Sequence, residues 1–314
     1  MSKSVIITGN LGYLGPLVVR KFRKEGYVVL GVDPGFYQSK IPFECIPDVQ
    51  VATIDQIPRA FWEPRAVVHL AAISNDPMGE INAEFTYRTN INLVAELAEM
   101  FNGAKQVLAS SASVYGWSEN NCVETDPLDP LSVYADSKVK AERVLQMISP
   151  NAAILRFATL WGSAPNFRTD LVVNRFMIQA IKDGTIKPLS NAKRPLLHVS
   201  DAADALFTAA DSGSEAYAGV YNVNSENTTV FDIATRVGAF ANVPVVLDET
   251  LKDADSRSYH IGTFQAPHLC AINPIKVGDE NAMNLLQFSA TTHKDAPTRL
   301  EVLKKILDIK DDEQ

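Results

Sequence analysis

The pattern of apolar positions in the first half of the chain alternates between two periods. Short β-branched runs are separated by longer stretches, such as Glu84–Phe101 and Tyr134–Ile148, whose apolar residues share one helical face. This alternation indicates βαβ units, and it predicts an α/β fold with a doubly wound parallel sheet of the Rossmann type. The predicted strands are Val5–Thr8, Val28–Val32, Ala66–Ala71, Gln106–Ser110, Ala153–Arg156 and Leu196–Val199.

The second half of the chain is less regular. It contains three helical stretches, predicted at Leu171–Lys182, Val230–Phe240 and Thr298–Ile309, with much irregular sequence between the last two. We therefore expect a sheet domain over residues 1–162, to which the chain returns near 195–212. Residues 163–194 and 213–314 are expected to form a smaller C-terminal substrate lobe.

Composition narrows the class of protein. With 46% hydrophobic and 21% charged residues in 314, the chain is typical of globular proteins with a sizeable core. A net charge of −8 without a Lys/Arg run argues against nucleic acid as a partner, and no apolar run approaches the roughly 18 residues of a membrane span. The Met-Ser-Lys start predicts no signal peptide. Cys45, Cys122 and Cys270 lack CxxC spacing, and the histidines lack ligand spacing, so we expect a cytoplasmic protein without a metal.

Three glycines spaced three apart, Gly9, Gly12 and Gly15, connect the first strand to the helix predicted at Leu17–Lys24. Without side chains the backbone can approach a diphosphate, and the helix N-terminus offers free N–H groups and the positive end of its dipole. A glycine-rich turn of no chemical role has a similar composition. The strand before and the helix after favour a dinucleotide site.

Asp33 stands eighteen residues after Gly15, at the end of the second predicted strand. A carboxylate at this place can accept hydrogen bonds from both hydroxyls of an adenosine ribose, and it repels a 2′-phosphate. No Arg follows closely, so the sequence favours NAD over NADP. The alternative is an Asp that merely opens the turn before Pro34-Gly35.

A second constellation combines Ser111, at the end of the fourth predicted strand, with Tyr134 and Lys138. Tyr134 and Lys138 are four residues apart and share one face of a helix. An ammonium group beside a phenol stabilises the phenolate and lowers the pKa of the tyrosine, which can then act as a general base. Ser111 is placed to hydrogen-bond the same substrate oxygen. Alone, such a pair is usually an exposed helix pair, but the glycine turn and the serine-rich strand end favour a catalytic trio.

The sequence resembles the extended short-chain dehydrogenases/reductases that act on nucleotide sugars, over about residues 4–240. The matching segments are Thr8-Gly-x-x-Gly-x-x-Gly15, Asp33, Asp55, His69-Leu-Ala-Ala72, Asn90, Ser110-Ser-Ala-Ser-Val-Tyr-Gly116, Tyr134 with Lys138, Leu155-Arg-Phe-Ala-Thr-Leu-Trp-Gly162, Arg194-Pro-Leu-Leu-His-Val199 and Tyr221-Asn-Val223.

The resemblance implies a role for each matching position. The catalytic residues would be Ser111, Tyr134 and Lys138. NAD would be bound by Gly9, Asn10, Gly12, Tyr13, Leu14, Gly15, Asp33, Asp55, Leu70, Ala71, Ala72, Asn90, Ser110, Tyr134 and Lys138. The nucleotide sugar would be bound by Ser111, Ser113, Thr159, Asn174, Arg194 and Arg257, with Arg168 and Arg175 as further candidates. An acidic protein that binds a diphosphate needs such locally placed cations, and Arg suits a bidentate grip.

The residues after Ser111 bear on the reaction. Dehydratases of the family carry an acidic pair there, and decarboxylating relatives place Glu where Ser113 stands, whereas this chain has Ala112 and Ser113. The segment most resembles the 4-epimerases. In these, the tyrosine takes the proton of the sugar 4-hydroxyl as hydride passes to NAD, the flat 4-keto sugar rotates, and the hydride returns to its other face. Thr159-Leu160 replaces the Asn-Pro of galactose-type epimerases, and residues 167–174 resemble a bacterial subgroup of surface-polysaccharide sugar enzymes.

Two alternatives stay open. A 4-ketoreductase would use the same trio but release oxidised cofactor after each turnover, and Asp33 weighs modestly against it because reductive biosynthesis often draws on NADPH. A catalytically silent dinucleotide-sensing protein would share the fold, but such proteins typically lack the Tyr/Lys pair. The resemblance also implies a homodimer, since the helices at Glu84–Phe101 and Tyr134–Ile148 pair across a dimer in that family.

Overall fold

Seven parallel strands form the central sheet. The computed structural model describes residues 3–37, 40–213, 216–246, 257–262, 269 and 274–307. The predicted doubly wound parallel sheet is confirmed. From one edge to the other, its strands are β10 (Gly219–Val223), β7 (Ala153–Phe157), β5 (Lys105–Ser111), β4 (Ala66–His69), β1 (Ser4–Thr8), β2 (Val28–Val32) and β3 (Val49–Val51).

Burial on both faces explains why these strands read as continuous apolar runs. Every residue of β1, β4 and β7 is buried, as is usual where helices cover both sides of a parallel sheet. The helices α1 (Gly15–Lys24) and α7 (Val199–Asp211) pack together on one face. The helices α4 (Leu93–Met100) and α5 (Val133–Ile148) cover the opposite face.

The order of the strands reverses between β1 and β4. The chain proceeds from β1 towards β3 on one side and from β4 towards β10 on the other. The loops that follow β1 and β4 therefore diverge, and they leave a crevice at the carboxyl ends of the strands. This crevice is where a sheet of this kind binds its ligands.

The return of the chain to the sheet differs in part from the prediction. The run predicted at Leu196–Val199 forms β9 (Lys193–His198), which lies in a separate three-stranded sheet between β8 (Thr159–Trp161) and β11 (Glu226–Thr229). Helix α7, within the predicted range 195–212, packs against the sheet, and β10, from the segment 213–314 that the sequence placed in the lobe, joins it as a strand. A buried apolar run does not reveal which sheet it will join.

The second lobe packs three helices around a core that includes Trp161, Phe176 and Met283. They are α6 (Val172–Asp183), α8 (Val230–Ala241) and α9 (Glu280–His293). The sequence predicted α6 and α8 but missed α9, and it also missed the small sheet of β6 (Trp117–Cys122) with β12 (Ser258–Ile261). No helix within the described ranges is long and apolar enough to cross a membrane.

The helix predicted at Glu84–Phe101 is interrupted. An α-helical turn, α3 (Ala83–Tyr87), leads into a π-helical segment, Arg88–Asn92, before α4 begins. Two further helices are α2 (Asp76–Ile81) and α10 (Arg299–Ile306). The predicted end of α10 at Ile309, His268 and Cys270 lie outside the described residues.

Candidate active site

A cavity of about 1270 Å³ lies at the carboxyl ends of the central strands. Residues that follow β1, β2, β4, β5 and β7 form one wall, and residues of the second lobe, including Arg194 and Arg257, form the other. The cavity therefore lies at the crevice between β1 and β4, where the strand order reverses. Across the part of the chain that the structure describes, no three His, Cys, Asp or Glu side chains are gathered to hold a metal ion.

The glycine turn lies against the loop that follows β4. A Cβ on Gly9, whose φ is +66°, would lie 2.6 Å from the backbone nitrogen of Ala71. A Cβ on Gly15 would lie 2.5 Å from Cα of Asn10. Thr8 Oγ1 fixes this approach by accepting hydrogen bonds from the N–H groups of Leu70 (3.2 Å) and Ala71 (3.1 Å). The turn thus presents bare backbone and the start of α1 to the cavity, and this geometry fits a dinucleotide diphosphate.

We expect Gly15→Ala to destabilise the protein by about 1–3 kcal/mol, because the new methyl group would overlap backbone atoms that cannot rotate away. Urea denaturation monitored by circular dichroism measures the loss. Gly103→Ala is the matched control, since a Cβ there would meet nothing within 4 Å. Equal stability of the Gly15 variant and the wild-type protein would contradict the close packing of the turn.

Asp33 lies at the edge of the cavity, where it also holds the glycine turn. Its carboxylate accepts hydrogen bonds from the N–H groups of Leu11 (3.1 Å) and Gly35 (2.8 Å). Burial raises the pKa of Asp33, while these two hydrogen bonds lower it. Asp33 thus both shapes the turn before Gly35, the alternative left open by the sequence, and lines the cavity.

The structure brings Ser111, Tyr134 and Lys138 close together in the lining of the cavity. Ser132 caps the N-terminus of α5, with its side chain accepting from the N–H of Ala135 (3.1 Å), and this fixes the first turn that carries Tyr134. Lys138 Nζ lies 6.0 Å from the centroid of the Tyr134 ring and donates to the carbonyl of Ala109 (2.9 Å). The predicted common face of Tyr134 and Lys138 is therefore present.

The electrostatics of Tyr134 differ from the sequence expectation. Burial raises the pKa of its phenol, while the hydrogen bond with Ser111 and the charges of Arg168 and Arg257 lower it. Burial also lowers the pKa of Lys138 to about 8. The lysine therefore does not by itself bring the phenol pKa below its ordinary value, because both groups lie in a poorly solvated site where the charged form of each is disfavoured.

Several arginines line the cavity on the side that faces the sheet. Arg168 pairs with Asp170 and also donates to Ser74 Oγ (3.2 Å). Arg257 pairs with Asp76 (2.8 Å), and Arg194 donates to the carbonyl of Lys193 (3.1 Å). All three line the cavity, so a negatively charged diphosphate would meet several guanidinium groups there.

Comparison with known proteins agrees with this geometry. The model of the NAD dependent epimerase/dehydratase family matches residues 5–224. The chain belongs to this family. The resemblance to the extended short-chain dehydrogenases/reductases is thereby confirmed, and NAD is the cofactor of the family.

Individual relatives are distant. The chain is 24% identical to methionine adenosyltransferase 2 subunit beta of Xenopus laevis, with 77% of this chain and 73% of that protein covered. The match to the Danio rerio counterpart spans 53% of that protein. A dTDP-4-dehydrorhamnose reductase of Aggregatibacter actinomycetemcomitans is 26% identical, with 79% and 85% covered. The structure of UDP-glucuronic acid 4-epimerase from Bacillus cereus superimposes with a TM-score of 0.77 at 19% identity, with 92% and 99% covered, which shows the shared fold.

Most residues predicted from the family resemblance line the cavity. They are Gly9, Gly12, Tyr13, Leu14, Gly15, Asp33, Leu70, Ala71, Ala72, Ser110, Ser111, Tyr134, Lys138, Thr159, Arg194 and Arg257. The further candidates Arg168 and Arg175 line it as well. Tyr13 has a second role, because its hydroxyl donates to the carbonyl of Gly162 (2.6 Å) and so joins the glycine turn to the second lobe.

Five predicted residues lie outside the cavity lining: Asn10, Asp55, Asn90, Ser113 and Asn174. Asp55 is exposed on a 3₁₀ turn beyond it.

The other four are buried and support the residues in front of them. The Asn10 amide lies against Gly31 of β2 and donates to Gln50 (2.6 Å). Asn90 bonds both backbone groups of Ile73 (2.8 and 3.1 Å). Ser113 donates to Ser111 Oγ (2.9 Å), and Asn174 accepts from the N–H of Gly162 (3.1 Å). These four therefore position the cavity wall.

The sequence missed Asp76, Asp170 and Arg299, all of which line the cavity. Asp76 had a usable signal, since Ser74-Asn75-Asp76 follows β4 at the edge where the strands end. Asp170 stands two residues from Arg168, and that spacing allowed the ion pair. Arg299 comes from α10, in the C-terminal quarter where no motif pointed to a site.

Proposed function

We propose that the protein is an NAD-dependent epimerase that inverts C4 of a nucleotide-diphosphate sugar through a transient 4-keto sugar. The observation that carries this proposal is that Ser111, Tyr134 and Lys138 lie close together in the cavity lining, with Ala112 and Ser113 in place of the acidic residues of the dehydratases. One base and one hydrogen-bonding partner are enough for epimerisation at C4, because no hydroxyl leaves the sugar.

Each of these cavity residues would have its own role in the proposed epimerisation. Tyr134 takes the proton of the sugar 4-hydroxyl and later returns it, and Ser111 holds the same oxygen by a hydrogen bond. Lys138 supplies positive charge beneath the phenol. Arg194 and Arg257 bind the diphosphate, so that the sugar can rotate while its nucleotide stays anchored. The glycine turn and Asp33 would hold NAD, which would supply reversible hydride transfer at C4.

Named relatives support this reaction and one alternative. The Bacillus cereus structure is of a 4-epimerase with UDP-glucuronic acid and NAD. The Aggregatibacter relative is a dTDP-4-dehydrorhamnose reductase, and this favours a 4-ketoreductase as the second candidate. Both reactions use the same trio, but only the reductase consumes reduced cofactor.

Proton NMR in deuterated buffer distinguishes the two candidates. The purified protein is incubated with UDP-, dTDP- and GDP-hexoses without added NADH. We expect one hexose to convert to its C4 epimer without deuterium at carbon, because the hydride never exchanges with solvent. If every hexose stays unchanged while a 4-keto sugar is reduced upon addition of NADH, the epimerase proposal fails and the reductase stands.

We expect Asp33→Ala to shift the ratio of NAD to NADP affinity towards NADP by about tenfold or more, because it removes a charge that repels a 2′-phosphate. Isothermal titration with both cofactors measures the ratio. Since Asp33 also bonds Leu11 and Gly35, both affinities are expected to fall, and the ratio isolates the effect of charge. An unchanged ratio would leave Asp33 as a turn-forming residue alone.

The homodimer and the cytoplasmic location stay predictions. A homodimer formed through α4 and α5 would elute at twice the 34.4 kDa chain mass in size-exclusion chromatography with light scattering.

A further inference from the structure

The last described helix, α10, covers part of the cavity and brings a buried cation to it. Arg299, the first residue of α10, is 8% exposed and lines the cavity. Its guanidinium lies 4.2 Å from the centroid of the Tyr37 ring. It makes no ion pair or hydrogen bond with any residue in the described ranges, and its Nη2 atom is buried without a partner. A buried guanidinium in this condition is costly unless an anion joins it.

The charges around Arg299 show that this anion is not supplied by a nearby carboxylate. Burial and the neighbouring Arg168 lower the pKa of Arg299 to about 10. The Asp170 carboxylate is engaged by Arg168 and by the Asn75 amide (2.9 Å). The Asp33 carboxylate is engaged by two backbone N–H groups. The two carboxylates whose charges act on Arg299 therefore already have partners, and the positive charge of Arg168 opposes that of Arg299.

The position of Arg299 relates it to the glycine turn. The Tyr37 ring on which it lies belongs to a loop that Asn166 ties to that turn, because the Asn166 amide donates both to the carbonyl of Tyr37 and to the carbonyl of Leu11 (2.5 Å). Leu303, 1% exposed, packs with Ile73 and so holds α10 to the loop that follows β4. Arg299 thus lies near the two loops that form the dinucleotide crevice.

We propose that Arg299 binds the diphosphate of the dinucleotide from the side opposite the glycine turn, and that α10 is a clasp over the bound cofactor. The glycine turn offers backbone N–H groups to one side of the diphosphate. Arg299, with Arg168 beside it, offers full positive charge to the other. The diphosphate would separate the two guanidinium groups and satisfy the unpartnered Nη2.

The diphosphate of the nucleotide sugar is the other anion that enters this cavity. Arg194 and Arg257 reach the cavity from β9 and from the residue before β12, in the second lobe. Arg299 is instead grouped with Tyr37 and Asp33, which follow β2 on the dinucleotide side. This grouping favours the cofactor, and the two sources are separable by experiment.

The test compares Arg299→Gln with Lys305→Gln, which removes an exposed cation from the same helix outside the cavity. Each protein is stripped of nucleotide and titrated with NAD, ADP-ribose, adenosine and UDP, and its thermal midpoint is measured without ligand. For Arg299→Gln we expect about tenfold or greater loss of affinity for NAD and ADP-ribose, with adenosine and UDP unchanged. We also expect an equal or higher midpoint without ligand, because the repulsion with Arg168 is gone. The NAD affinity of Arg299→Lys should lie between that of the wild-type protein and that of Arg299→Gln.

Three results would overturn the proposal. Loss of UDP affinity with NAD affinity retained would assign Arg299 to the substrate diphosphate. A lower midpoint together with an equal loss for adenosine and NAD would reduce it to a packing partner of Tyr37. Affinities equal to those of Lys305→Gln throughout would exclude any ligand at Arg299. None of these readouts depends on turnover, so the clasp and the epimerase proposal can fail separately.

Discussion

Replacing Tyr134 by phenylalanine is expected to lower turnover by about 10²–10⁴-fold, the usual contribution of a positioned acid–base group. The substitution removes one hydroxyl and keeps the ring, so the first turn of α5 and the wall of the cavity should be preserved. NAD affinity should change by no more than about twofold, because the glycine turn and Asp33 are untouched. Turnover is followed by NMR on the hexose that the wild-type protein converts, and NAD affinity is measured by titration.

Tyr87→Phe is the matched control for this experiment. It also deletes a phenol hydroxyl that hydrogen-bonds a polar side chain, here Asp136 (2.8 Å), but Tyr87 lies outside the cavity lining. We expect this variant to keep wild-type turnover. Wild-type rates in Tyr134→Phe would remove the base from the proposed mechanism. A parallel loss of NAD affinity would instead mean that the tyrosine acts mainly in binding.

The parts of the fold that the sequence predicted are those with one dominant physical signal. The strands β1, β4 and β7 lie between two layers of helices, so every residue is apolar or enclosed, and the run is visible without knowledge of the partner strand. The glycine turn was also predictable from the sequence, because Gly9 and Gly15 lie so close to neighbouring backbone that no side chain fits there.

The helix α9 was missed because its apolar residues do not lie on a single face. Met283, Leu286 and Ala290 are buried with helical spacing, but Leu285 and Phe288 are 59% and 73% exposed on the other side. An apolar residue on the solvent face obscures the period that identifies an amphipathic helix. The pairing of β6 with β12 was also hidden, since it joins strands more than a hundred residues apart.

Most of the residues that the sequence predicted for the site do line the cavity. The sequence did not predict properties that depend on the surrounding residues, such as the pKa of Tyr134 or the orientation of a buried amide. The spacing of Tyr134 and Lys138 placed them together correctly, but the pKa of the phenol depends on its burial and on Arg168 and Arg257, which come from distant segments. Asn90 and Asn174 match family positions, yet their amides are engaged in holding backbone behind the cavity wall. A sequence pattern does not show which way such a side chain turns.

Next to the proposed catalytic trio, a buried ion pair joins α5 to the central sheet. Arg156, in β7, and Glu142, one turn after Lys138, are 2.7 Å apart with side chains 5% and 3% exposed. Glu142 also accepts a hydrogen bond from Ser110, the residue before Ser111. Because this pair links the end of β5 to the helix that carries Tyr134, it fixes the spacing of the trio.

We expect Arg156→Met to lower the free energy of unfolding by about 3–5 kcal/mol, because it leaves the Glu142 carboxylate buried without its cation. It also removes the donors to the Tyr115 hydroxyl (2.9 Å) and the Glu124 carbonyl (3.2 Å). Urea denaturation measures the loss. In the double variant Glu142→Met/Arg156→Met, the orphaned charge is absent, so we expect part of the stability to return, with the coupling read from the double-mutant cycle.

The pair Lys140–Asp136 on the same helix provides the control. Its atoms are also 2.7 Å apart, but the side chains are 48% and 32% exposed. Water solvates each charge when the partner is removed, so Lys140→Met should cost no more than about 1 kcal/mol. Two ion pairs of equal length would then differ in consequence because one is buried and carries further hydrogen bonds, whereas the other is exposed. A loss in Arg156→Met as small as that in Lys140→Met would show that water reaches Glu142, and the rigid link between β5 and α5 would have to be abandoned.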